Sequence, residues 1–76
     1  MRITGSIEMV LRHGDDRKSS FDAVQTVHDT FYDSRFTAST DKIDDNFCIH
    51  CSLERNAVFI ELCSQLPCVR QITIMG

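Results

Sequence analysis

At 76 residues the chain makes one domain at most, residues 1–76, and its core is thin, because a domain this small buries roughly 60% of its unfolded surface. With 42% hydrophobic and 25% charged residues, three Gly, one Pro and a formal charge of −3 of interspersed signs, the composition is ordinarily globular. It is too mild for a DNA mimic and lacks the basic stripe of a nucleic-acid binder. No apolar run approaches the roughly 20 residues of a membrane span, and the alternating MRITGSIEMVLR is not the apolar core of a signal peptide. A cytoplasmic location with reduced thiols is the expectation. Four cysteines would allow three disulfide pairings in a secreted chain, but no secretion signal supports that reading. The chain stops after an apolar strand-like segment at Gly76, which suits either a complete small gene product or a domain cut from a longer protein.

The first element is a half-buried strand over about residues 2–12, where Ile3, Gly5, Ile7, Met9 and Leu11 alternate with Arg2, Thr4, Ser6, Glu8 and, less cleanly, Val10. HGDDRKSS, residues 13–20, is a polar loop. Ser19 or Ser20 caps the helix that follows, with Asp22 in its first turn. Phe21, Val24, Val27, His28 and Phe31 recur at helical spacing and predict an amphipathic helix over 20–32. RFTAST, 35–40, has strand composition, and DKIDDN, 41–46, is turn-rich. NFCIHCSLE, 46–54, alternates again. NAVFIELCSQL, 56–66, carries a helical stripe of Phe59, Leu62, Cys63 and Leu66, with Asn56 as its cap and Pro67 as its stop. Val69–Met75 is the last strand, with Ile72 and Ile74 inward.

The order β-α-β-β-α-β has no repeat, linker or low-complexity stretch. Right-handed crossovers then predict an α+β, ferredoxin-like βαββαβ sandwich, an antiparallel sheet of order 4-1-3-2 with both helices on one face.

FCIHCS, 47–52, contains a Cys-x-x-Cys. Side chains alternate across a strand, so Phe47, Ile49, Cys51 and Leu53 share the core face and Cys48, His50, Ser52 and Glu54 the other. Cys48 and Cys51 therefore cannot chelate one ion or act as a dithiol. Cys51 and Cys63 read as small core hydrophobes. Cys48 and His50 do share a face, roughly 6.5–7 Å apart, and could join a metal site across a dimer, though a structural site needs four ligands. His28 reads as a satisfied, partly buried histidine on the apolar side of its helix.

The uncovered face would carry Thr4, Ser6, Glu8, Val10, Arg35, Thr37, Ser39, Cys48, His50, Ser52, Gln71 and Thr73. It is small, nearly neutral and free of the aromatic platforms that RNA recognition needs. Ser6, Glu8, Val10, Thr37, Ser39, Cys48, His50 and Thr73 are the candidate interface for a homodimer or a protein partner, against the alternative of a plain solvated face. Topology also gathers His13, Asp15, Asp16, Asp41, Asp44, Asp45 and Cys68 at one rim. Among these, His13, Asp15, Asp16, Asp44 and Asp45 are the candidate site for a small ligand or divalent metal, although Asp is also simply a good turn residue. Gly-rich phosphate loops, HExxH and nucleophile elbows are missing, so no enzyme and no cofactor is expected.

The βαββαβ order together with the ending LCSQLPCVRQITI, which runs helix, LPxV-type turn and strand, resembles ACT-like regulatory domains over nearly the whole chain. The strand spacing is similar to the C-terminal half of nickel-responsive regulators. Where that family places its nickel ligands this chain has Ala38, Thr40 and Asn46, so nickel is not implied. Heavy-metal-associated domains put a Cys-x-x-Cys after the first strand, where this chain has HGDDRKSS. ACT-like domains that bind small ligands do so at subunit interfaces near the first loop, here His13–Lys18, which lacks the usual Pro-Gly. The resemblance implies a non-enzymatic regulatory or interaction module that self-associates through its sheet. A divalent-metal sensor or carrier, and a stand-alone inhibitor or adaptor of viral or mobile-element origin, are the alternatives.

Overall fold

The computed structural model describes residues 4–12, 14, 16–54 and 56–75. Six elements follow in order: β1 (Thr4–Leu11), α1 (Arg17–Phe31), β2 (Ala38–Ile43), β3 (Asn46–Glu54), α2 (Ala57–Ser64) and β4 (Val69–Met75). The strands form one antiparallel sheet in the order β2-β3-β1-β4, the expected 4-1-3-2 read from its other edge. This is the ferredoxin-like α+β arrangement with one face of the sheet open. Among the described residues no helix is long and apolar enough to cross a membrane.

The core forms where the two periodicities meet. Ile7, Met9 and Leu11 of β1 and Ile49 and Cys51 of β3 supply the sheet side, while Val24 of α1 and Phe59 and Cys63 of α2 supply the helix side. His28 is fully buried beside them. Its ring stacks on Tyr32 at 4.8 Å and meets Phe36 at 4.9 Å and Phe59 at 6.3 Å. The Nδ1–H donates to Asp29 Oδ1 at 2.9 Å, and Nε2 is buried without a hydrogen-bond partner. The expectation of a partly buried, satisfied histidine is therefore corrected on both counts.

Other departures from the pattern reading have local causes. α1 begins at Arg17 because Asp16, not Ser19 or Ser20, caps it. Asp16 Oδ1 accepts from the Lys18 N–H at 3.1 Å and Oδ2 from the Ser19 hydroxyl at 2.8 Å. Ser20 is buried inside the helix instead, and Asp22 falls beyond its first turn. β2 runs three residues later than the composition suggested. Phe36 stays ahead of it, buried, with its ring 5.2 Å from that of Phe21. The turn-rich 41–46 contracts to two residues, Asp44 and Asp45, at φ 52° and 64°. Two successive left-handed residues make the tight hairpin whose twist matches its strands, and Asp tolerates that conformation better than most. α2 is capped by Asn56 as expected, its Oδ1 accepting from the Val58 and Phe59 N–H groups at 3.0 and 3.2 Å. Leu62 of its expected apolar stripe is 39% exposed, and Ile74, on the core side of edge strand β4, is 46% exposed.

Asn56→Ala should lower unfolding free energy by about 1 kcal/mol, read by urea denaturation. Asp44→Asn with Asp45→Gly should raise it by about 0.5 kcal/mol, since Asn-Gly relieves the left-handed strain. The hydrogen bonds from Ser19 and Lys18 hold the Asp16 carboxyl below its usual range. Its contribution is therefore present above the ordinary carboxylate pKa and is lost as pH falls through the depressed folded value. Asp16→Asn should flatten that part of the acid-unfolding profile.

Candidate functional site

Two surfaces carry the sequence-predicted residues: the open face of the sheet and the loop rim. On the open face the β1–β3 register sets Glu8 opposite His50, Val10 opposite Cys48 and Ser6 opposite Ser52. β2 adds Ser39 beside His50 and Asp41 beside Cys48, and β4 adds Thr73 beside Glu8 and Gln71 beside Val10. Ser39, His50, Glu8 and Thr73 thus form one row across all four strands. Within it the His50 Nε2–H donates to Glu8 Oε2 at 2.8 Å, both side chains about a quarter exposed. Sequence reasoning had both residues on this face but missed their pairing. Adjacent central strands were the available signal, and register was the missing piece.

Of the candidate interface residues, Ser6, Glu8, Val10, Ser39, Cys48, His50 and Thr73 occupy this face by register. Thr37 precedes β2, and its hydroxyl donates to the Arg35 carbonyl at 3.4 Å. Asp41, placed at the rim by sequence, belongs to the open face instead. Two apolar residues were not anticipated there. Ile43 lies in line with Asn46 at the hairpin end of β2, and Met75 lies opposite Ser6 at the far end of β4. They are 43% and 41% exposed and mark diagonally opposite corners.

β3 spans the whole FCIHCS segment, so Cys51 faces the core and Cys48 the open face. Cys48 is only 2% exposed although no helix covers that side. Its thiol pKa is raised by burial and then by the charges of Glu8 and Asp41, and its Sγ lies 3.9 Å from the Asn46 carbonyl. A metal-binding thiolate needs the reverse electrostatics, and His50 Nε2 is already engaged. Among the described residues no group of three His, Cys, Asp or Glu side chains is placed to hold a metal ion. Burial pushes the Cys51 thiol up to about 11 and the Cys63 thiol up to about 12.

At the rim the described acidic residues Asp16, Asp44 and Asp45 do not converge as a metal-ligand set. Asp16 is committed to capping α1, and Asp44 and Asp45 are the hairpin turn. His13 and Asp15 lie outside the described residues. Cys68 is partly buried against the core, and its carbonyl accepts from the Arg12 N–H at 2.9 Å. What the rim does hold is a cleft of about 290 Å³ between the end of β1, the start of α1 and the hairpin. Leu11 and Phe47 line it, with the cations Arg12, Arg17 and Lys42 around them. These are three of the eight Lys and Arg residues in an acidic chain, scattered in sequence and joined by no motif.

Comparison of the chain with protein-family models, curated proteins and solved structures gave no match.

Under native conditions at pH 8, Cys68 should react first with a thiol reagent such as DTNB. Cys48, Cys51 and Cys63 should react at least about a hundredfold more slowly and reach full labelling only in denaturant, since thiolate fraction and access both fall with burial. Peptide mass mapping of partially labelled protein checks the order.

Proposed function

We propose that the chain is a non-enzymatic regulatory or protein-interaction module of ACT-like build that self-associates through the open face of its sheet, with the loop rim as its place for a small ligand. The observation that carries this reading is the chemistry of the open face. Among the described residues its close polar pair, His50 donating to Glu8, is internally matched at 2.8 Å. Much of the remainder is Ser6, Ser39, Ser52 and Thr73 around Val10.

Hydroxyls donate and accept, so such a surface is complementary to a copy of itself in either orientation. Ile43 and Met75 at diagonal corners reinforce this. A two-fold axis parallel to the sheet and above its open face, perpendicular to the line between them, brings Ile43 of one copy onto Met75 of the other. Cys48 is buried within the face rather than projecting from it, and the long side chain of Arg70 lies along the face, donating to Asn46 Oδ1 at 3.3 Å. The LPxV-type turn at Leu66–Val69 between α2 and β4 adds to the ACT-like resemblance.

Magnitude bounds the association. Four strands spaced about 4.8 Å and about eight residues long give a footprint of roughly 500 Å². A standard interface buries about 800 Å² per partner, so the dimer expected here is concentration-dependent rather than obligate.

Sedimentation velocity across about 10 μM to 1 mM, the range of weak protein complexes, should show monomer passing to dimer. Val10→Lys sets a charge at the centre of the face and should weaken the dimer at least about tenfold, while far-UV circular dichroism stays unchanged. A strict monomer at the highest concentration would sink the proposal.

A further inference from the structure

The rim cleft differs in sign from the chain around it. The protein carries a formal −3, yet the described residues lining this cleft include Arg12, Arg17 and Lys42 against the single carboxylate of Asp45. Arg12 makes no ion pair among the described residues. Lys42 has only Asp45, at 3.6 Å, with both side chains largely in solvent (63% and 84% exposed), so that pair is worth little and is easily exchanged. The Arg17 guanidinium lies 4.5 Å over the Phe47 ring, which holds it in place and lowers the cost of ordering it around a ligand. Leu11 and Phe47 give the cleft an apolar wall, and a cleft with an excess of one sign and a low-dielectric wall concentrates its field inward.

We infer that this cleft binds a small dianion, with a phosphate monoester as the head group its charge fits best. Among the described lining residues three cations face one carboxylate, an excess of positive charge, and a phosphate monoester carries roughly −1.5 to −2 at neutral pH. Arg17 presents the planar fork that grips two oxygens of such a head, and Lys42 acts as a mobile point charge released from Asp45. A volume of about 290 Å³ suits a small metabolite rather than a large cofactor. The inference rests on the ligand-binding part of the reading above and not on self-association. It also replaces the divalent cation expected at this rim by an anion.

The test is an amide-resolved NMR titration of the full chain at fixed ionic strength with glycerol 3-phosphate, succinate, acetate and magnesium chloride. Glycerol 3-phosphate should give saturable shifts at Leu11, Gly14, Arg17, Lys42 and Phe47, and bind at least about tenfold tighter than acetate. Arg17→Gln and Lys42→Gln should each weaken it about tenfold, the usual scale of one charged hydrogen bond. Asp45→Asn should tighten it, since a competing carboxylate is removed while the turn keeps a residue that tolerates positive φ. Succinate binding as tightly as glycerol 3-phosphate supports the dianion and assigns the head group to a dicarboxylate. No saturation by about 10 mM, well above usual metabolite affinities, overturns the inference, as does equal binding of acetate or tighter binding of magnesium. Sedimentation of the same samples separates the two proposals. A monomer that binds removes self-association alone, and a dimer that does not bind removes this inference alone.

Discussion

The antiparallel pairing of β1 with β3, in the register that sets Glu8 against His50 and Met9 against Ile49, is the constraint on which the rest of the molecule hangs. Both are central strands, and each sends alternate residues to opposite faces. A slip of one residue would expose Ile7, Met9 and Leu11 and bury Ser6, Glu8 and Val10. In this register the two apolar rows coincide under the helices, and the polar rows coincide on the side left open. The same pairing sends Cys51 into the core and Cys48 to the other side, so the Cys-x-x-Cys has no single site to act on. It also sets the end of β1 beside the β2–β3 hairpin, which creates the rim cleft.

The core built on that ladder is small, and it spends part of its volume on a polar ring. His28 is enclosed by Tyr32, Phe36 and Phe59 and satisfies only one of its two nitrogens. An unsatisfied buried nitrogen costs about 1–3 kcal/mol, and ring contacts of this geometry return about 0.5–1.5 kcal/mol each. The surrounding aromatic cage therefore offsets the cost. Phe36, contributed from outside any regular element, completes that cage. Polar edge strand β2 shows the complementary economy, since all but its first residue are exposed. Its charges blunt a sheet edge that could otherwise pair with other chains.

Much of the fold was legible because periodicity is a strong signal where it is long. Asn46–Glu54 alternates over nine residues, and both its span and its two faces followed from the pattern alone. The start of α1 was harder, because Asp15, Asp16, Ser19 and Ser20 are all capable caps and the apolar stripe begins only at Phe21. Geometry, not composition, selects Asp16. β2 was misplaced because aromatic Phe36 looks like strand content but serves the helix-side core. The cations of the rim cleft are hard to see in the sequence for a related reason. Aspartates cluster visibly in sequence at 15–16 and 44–45, whereas Arg12, Arg17 and Lys42 meet only after folding. Asp16 at a helix cap and Asp44 and Asp45 in a tight turn are conformational chemistry.

The position of β1 has a further consequence, for the order in which this molecule can be made. Its two partners are β3 and β4, and its pair with β4 joins Ser6 to Met75, close to the full span of the chain. Of these four strands β1 is therefore made before either partner, and its β4-side edge stays unpaired after β3 is in place. Non-local closure of this kind slows folding and lengthens the time an apolar strand is open to wrong partners. The β2–β3 hairpin, closed by two aspartates and local in sequence, is the one piece of sheet that can form early. It is a ready template onto which β1 can dock, and its charged turn keeps that template soluble while it waits.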